Sequence, residues 1–150
     1  MSIGFGFSVG DFLHAVDLVA TVIDALRDTG HTSTDFRELI KVLLSLETAL
    51  IQVKRLELDE SQQAEHLALK QAAAQCQNTI DDFYKQLQKY QPHLASALPL
   101  SNVRTGWMKV RWTLCKRQDL TRFKHDLAAH TSSILILLSS LQLCVLEKTS

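Results

Sequence analysis

Glycine and proline are scarce in this chain, five and two among 150 residues. That excludes a collagen-like repeat and argues against a Gly-rich phosphate loop or a turn-dense β sandwich. Cysteine is scarce too: Cys76, Cys115 and Cys144 are odd in number, widely spaced, and form no CxxC or zinc-like spacing. They read as small hydrophobes of a reducing compartment. Net charge is absent, since sixteen basic and sixteen acidic residues cancel. Nothing overall draws the chain to nucleic acid, and a basic footprint has to be local. The N-terminus has no basic lead or long apolar run of a secretory signal. Catalytic signatures are missing as well, with no nucleophile elbow, P-loop, HExxH or EF-hand loop. Gly4, Gly6 and Gly10 are wrongly spaced for a dinucleotide loop, and no strand precedes them. The sequence therefore predicts no enzyme, no cofactor and no metal.

What the chain does have is hydrophobic content, 46%, at a length suited to one domain over 1–150 with a core of its own. Four long segments carry helical periodicity. The first sets Phe12, Val16, Val19, Ile23 and Leu26 on one side and His14, Asp17, Thr21, Asp24 and Asp28 on the other. Ser8 can cap its start and Gly30 can end it. The second runs from a Ser33-Thr34-Asp35 cap signal to about Leu58, with Phe36, Leu39, Ile40, Leu43, Leu46, Leu50 and Val53 facing one way. The third, from Ser61 to Tyr90, keeps a heptad seam of Leu69, Ala73, Cys76, Ile80, Phe83, Leu87 and Tyr90. A loop around Pro92 and Pro99, over 91–106, leads on. The last segment repeats the seam with Leu120, Phe123, Leu127, His130, Ile134, Leu137, Leu141 and Cys144. Such seams predict an all-α, elongated bundle of four long helices. Met108 to Leu114 alternates apolar and polar as a strand does, but has no second strand to pair with. A short fifth helix leading into the last long one is the preferred reading.

Charge is sorted along the chain. Over 1–30, Asp11, Asp17, Asp24 and Asp28 oppose only Arg27. Over 101–126, Arg104, Lys109, Arg111, Lys116, Arg117, Arg122 and Lys124 oppose only Asp119 and Asp126. Either the acidic first helix docks beside the basic segment, or the basic segment is a surface for anionic lipid or an acidic partner. Two apolar features stand out. Met1 to Gly10 carries Ile3, Phe5 and Phe7 without charge, and Gly6 with Gly10 makes a GxxxG. Leu127 to Leu146 has no formal charge, but His130, Gln142 and a serine stripe favour a core helix over a membrane span. His130, in the seam, is expected to be mostly buried beside Leu127 and Ile134.

The opening Met1-Ser2-Ile3-Gly4-Phe5-Gly6-Phe7-Ser8-Val9-Gly10-Asp11-Phe12, followed by an aliphatic helix, resembles fungal N-terminal HeLo-like domains. The similarity extends through Asp35 to Leu39, Cys76 to Tyr90, and Trp107 to Lys116 before a long final helix. The resemblance implies a cytoplasmic cell-death effector that moves to the plasma membrane, self-associates on activation and permeabilises the bilayer. It implies roles in heterokaryon incompatibility and innate immunity, with an upstream NLR-like or amyloid-signalling partner. It assigns membrane insertion to Ile3, Phe5, Gly6, Phe7, Gly10 and Phe12. In an oligomer the polar seam His14, Asp17, Thr21 and Asp24 would turn toward a pore. No amyloid motif, NTPase or ubiquitin-like module accompanies these residues, as in an excised or free-standing effector domain. The alternative is an interaction or oligomerisation module without lipid activity, using the 69–90 heptads as a partner groove.

Overall fold

The computed structural model describes residues 9–30, 33–56, 60–97 and 103–149, with side chains at 9–13, 95–97, 103 and 143–149 left out of the description. Ile3, Phe5, Gly6, Phe7 and Ser8 lie outside it. Gly10 and Phe12 are described only as backbone of the first helix.

Four long helices form among the described residues: α1 (Val9–Asp28), α2 (Thr34–Lys54), α3 (Gln63–Tyr90) and α5 (Arg117–Thr149), with a short α4 (Val103–Met108). No strand occurs among them, and the chain is all-α as its periodicity predicts. Gly30 follows the end of α1 at a φ of 64°, a left-handed conformation that suits glycine after a helix. Ser33 then caps α2, its Oγ accepting from the Phe36 N–H at 3.4 Å. α2 stops at Lys54, short of Leu58, which is outside the described residues.

The long helices pack in a ring, α1 on α2, α2 on α5, α5 on α3 and α3 on α1. Their directions follow from the pairs they make. Thr79 meets His130, Phe83 stacks on Phe123 and Tyr90 lies under Lys116, so α3 and α5 are antiparallel. Asp35 pairs with Arg117 and Glu38 with Lys124, so α2 and α5 run the same way. With the short α1–α2 connection, this makes an up-down-up-down bundle. At about 1.5 Å per residue, α1 spans roughly 30 Å and α5 roughly 50 Å.

The core comes from the expected stripes. Val19, Leu43, Leu46, Leu50, Cys76 and Leu127 are fully buried. On α3 the seam holds from Leu69 to Leu87 and then ends: Tyr90 is 41% exposed. Because this seam is spent on the bundle interior, the 69–90 heptads are not an open groove for a partner. On α5 the seam departs from the heptad. Thr131 and Leu138 are buried, while His130 and Leu137 are half-buried. The steps from Leu120 through Phe123 and Leu127 to Thr131 follow an 11-residue pattern, close to the 3.6 residues per turn of a straight helix. His130 therefore lies at the edge of the core, where its Nε2 is 2.8 Å from Thr79 Oγ1. No helix among the described residues is long and apolar enough to cross a membrane.

The expected loop at 91–106 is largely structured. Pro92–Ala97 is a 3-10 turn, and α4 begins at Val103. The expected short fifth helix is α4, which begins upstream of the alternating stretch and ends within it at Met108, and a 3-10 turn follows at Trp112–Leu114. Trp107 of α4 and Trp112 join Phe83 and Phe123 in an aromatic cluster, with Phe83 and Phe123 stacked at 4.0 Å.

Candidate functional site

Met108 to Leu114 is a connector between α4 and α5 rather than a strand, with only Val110 and Arg111 outside helix or turn. Val110 and Trp112 point inward and are buried, whereas Lys109, Arg111 and Thr113 are exposed. The pairing that a second strand would supply comes from one side chain. Gln91, 2% exposed at the end of α3, donates from Nε2 to the Arg111 carbonyl at 3.0 Å and accepts the Arg111 N–H at 2.8 Å. His93 Nε2 lies 3.0 Å from the Lys109 carbonyl. Trp112–Leu114 closes as a 3-10 turn, and α5 starts at Arg117. The backbone of the connector is fixed while its charged side chains remain in water.

The seven cations expected to act together separate into three groups. Arg104 reaches Asp24 of α1 at 3.0 Å. Arg117 and Lys124 reach α2 instead, at Asp35 (3.4 Å) and Glu38 (2.7 Å). The Lys124 hydrogen bond, reinforced by its charge, holds the Glu38 carboxyl below its ordinary range. Docking against acidic α1 thus accounts for Arg104, and α2 supplies partners that the charge sorting did not indicate. These are surface pairs, whose net contribution solvent screening keeps small. Arg122 shares a cleft of about 170 Å³ between α3 and α5 with Asp82, Asp119 and Asp126.

Lys109, Arg111 and Lys116 form the third group. All three are exposed and make no ion pair among the described residues. Lys116 Nζ stands 4.5 Å from the centre of the Tyr90 ring, a contact that orients the ammonium without neutralising it. Lys116 and Arg117 also sit at the start of α5, the positive end of its dipole, where Asp119 supplies the acidic residue of the first turn. The connector thus presents three exposed cations, with Asp119 as the acidic residue beside them at the start of α5. Met108 (37%), Leu114 (55%) and Tyr90 (41%) are exposed on and beside the same connector.

The expected pore-facing seam is not an open stripe. His14 and Asp17 are exposed, but Asp24 is half-buried and tied to Arg104, and Thr21 is 9% exposed. The Thr21 hydroxyl donates to the Asp17 carbonyl at 2.8 Å, which satisfies it inside the packed bundle. Cys76 is buried as a small hydrophobe, and burial pushes its thiol up to about 12. Cys115 is half-buried, and burial, with a contribution from Asp119, likewise pushes its thiol up to about 12. The Cys144 side chain lies outside the described residues. Desolvation lowers the His130 pKa below its ordinary value, partly opposed by Asp126. No group of His, Cys, Asp and Glu among the described residues gathers to hold a metal ion.

Sequence reasoning missed Gln91, Tyr90, Met108 and Leu114. A polar residue between a helix end and a proline carries no periodic signal, and the fixed connector becomes visible only once α3 and α4 are in place.

No curated protein and no solved structure matches the chain. A family model does, over residues 9–150, described as the N-terminal region of the pigment biosynthesis cluster protein PigL. The match begins where α1 begins, and Met1 to Ser8 lie outside it. Covering almost the whole helical bundle, it shows that the chain belongs to the PigL N-terminal family.

Proposed function

We propose that this domain is a membrane-targeting effector of the HeLo-like kind, non-enzymatic, silent as a monomer and permeabilising when oligomerised. The family is a fungal helical one related to HeLo-like domains, and the N-terminal Gly/Phe stretch is the part that most resembles them. The observation that carries the reading is the charge accounting. Lys109, Arg111 and Lys116 make no ion pair among the described residues, which leaves their charge available to an external partner. An anionic lipid surface would be one.

The burial of α1 supplies a reason for silence at rest. Val19, Val22, Ile23 and Leu26 are at most 3% exposed. Withdrawing four such side chains costs roughly 6–12 kcal/mol, at about 1.5–3 kcal/mol each. Only a new environment, such as lipid plus neighbouring copies, repays that. Insertion would then use Ile3 through Phe12, with the His14, Asp17, Thr21 and Asp24 seam turned toward a shared water-filled interior. The upstream trigger in this reading is an NLR-like or amyloid-signalling partner, and the domain moves from cytoplasm to plasma membrane.

The interaction-module reading keeps one supporting observation. Leu135 and Ile136 of α5 are 45% and 66% exposed, as a protein contact could use. Expression in fungal cells of the chain fused to an inducible oligomeriser separates the two. The effector reading expects loss of viability on induction, abolished by deleting residues 2–10. Full viability with a folded, oligomerised chain sinks it and leaves the interaction module.

A further inference from the structure

The up-down-up-down order places the connector and the start of α1 at opposite ends of the bundle. The connector is fixed to the C-terminal end of α3, alongside which α1 also ends, so the chain enters α1 at Val9 roughly 30 Å away.

We infer that the 108–116 connector is a docking tip for an anionic lipid surface, separate from the N-terminal segment. Met108 and Leu114 enter the interfacial layer, while Lys109, Arg111 and Lys116 engage the headgroup phosphates and carboxylates. The inference deepens the effector reading and rests only on its premise that the domain meets lipid.

Three features favour a bilayer over an acidic protein. The exposed apolar residues are few and are separated by cations, whereas a stable protein interface needs about 800 Å² on each partner. Long basic side chains beside apolar ones match the layered order of an interface, with ammonium groups at the headgroups and methylenes below. Tyr90, half exposed under Lys116, is of the amphipathic type that sits at headgroup level. The Gln91 clamp keeps the tip from spending binding energy on ordering its backbone.

Docking by this tip leaves the start of α1 pointing away from the bilayer. Recruitment and insertion are then two steps, and α1 must leave the bundle or the molecule must tip over between them.

The test is co-sedimentation of the full chain with phosphatidylcholine vesicles, with and without phosphatidylserine, at low salt. Lys109→Gln with Lys116→Gln should weaken binding to the anionic vesicles about thirtyfold, since each lysine near such a surface contributes roughly fivefold. Met108→Ser with Leu114→Ser should weaken it at least about fivefold. Both doubles change exposed side chains, and unchanged thermal midpoints would confirm that they fold. A chain lacking residues 2–10 should still bind the anionic vesicles, and each double variant should weaken that binding by the same factor. Loss of binding in the deletion, or no effect of either double variant, overturns the inference. So does a serine double that binds normally while the chain binds polyglutamate equally well, which would identify an acidic protein partner. Docking without permeabilisation on forced oligomerisation would leave the tip standing and remove the effector reading.

Discussion

Replacing Gln91 with leucine tests how the connector is held. The substitution removes both hydrogen bonds to the Arg111 backbone, at 2.8 and 3.0 Å, in a side chain only 2% exposed. The Arg111 carbonyl keeps a donor, the Leu114 N–H at 3.0 Å, but the Arg111 N–H loses its acceptor. An orphaned donor costs about 1–3 kcal/mol and the lost bond to the carbonyl about 0.5–1.5 kcal/mol. For a domain of this size the combined loss of about 1.5–4.5 kcal/mol lowers the thermal midpoint by roughly 3–18 °C, at about 2–4 °C per kcal/mol. Part of the effect can appear as local opening, which limited trypsin digestion reads directly. Lys109 and Arg111 are exposed, but their peptide groups are clamped by His93 and Gln91. Cleavage there should accelerate about tenfold or more in Gln91→Leu, following the same free energy. A variant with the wild-type midpoint to within about 1 °C and unchanged trypsin cleavage would refute the clamp.

Two further perturbations probe the neighbouring packing. A Cβ at Gly106 would collide with the Tyr84 hydroxyl and lie 3.2 Å from its Cζ, so Gly106→Ala should lower the thermal midpoint despite the better helix propensity of alanine; adding Tyr84→Phe should restore part of the loss, and equal midpoints in the single and double variants would contradict the collision. His130 has a folded pKa below 6.5, chiefly through desolvation, so the unfolded chain binds the proton more readily. The stability it contributes is present above about pH 6.5 and is lost as pH falls toward the folded pKa, a dependence in that window that His130→Gln should remove; an identical pH profile in the variant would contradict it.

The long helices were legible because their signals are local. Ser33 and Gly30 mark the α1–α2 hairpin by cap chemistry, and the α3 stripe is a run of apolar residues that nothing interrupts before Leu87. The errors share a different cause. Thr21 and Thr131 are buried polar residues whose hydroxyls donate to the carbonyls of Asp17 and Leu127 on their own helices. Such self-satisfaction makes threonine a core residue while hydropathy counts it as surface. That is why the polar seam of α1 looked open and why the α5 seam was placed on His130 and Leu137. What fixes the connector was not legible, because the group that pairs with the Arg111 backbone is a side chain twenty residues away in sequence. Of the basic segment, clustering was legible, but its partition was not. Whether a lysine meets a carboxylate depends on the ring order of the helices, which brings α2 to α5 rather than α1 to α5.

The central claim is that the domain permeabilises membranes only when assembled, through its N-terminal residues. Dye release from phosphatidylserine-containing liposomes tests it most directly, using the chain fused to an inducible oligomeriser. The account predicts release on induction, none from the uninduced monomer, and none from a helical, vesicle-bound chain lacking residues 2–10. Release by that deletion variant at the wild-type rate, or an oligomerised wild type that binds vesicles and never releases dye, would contradict it.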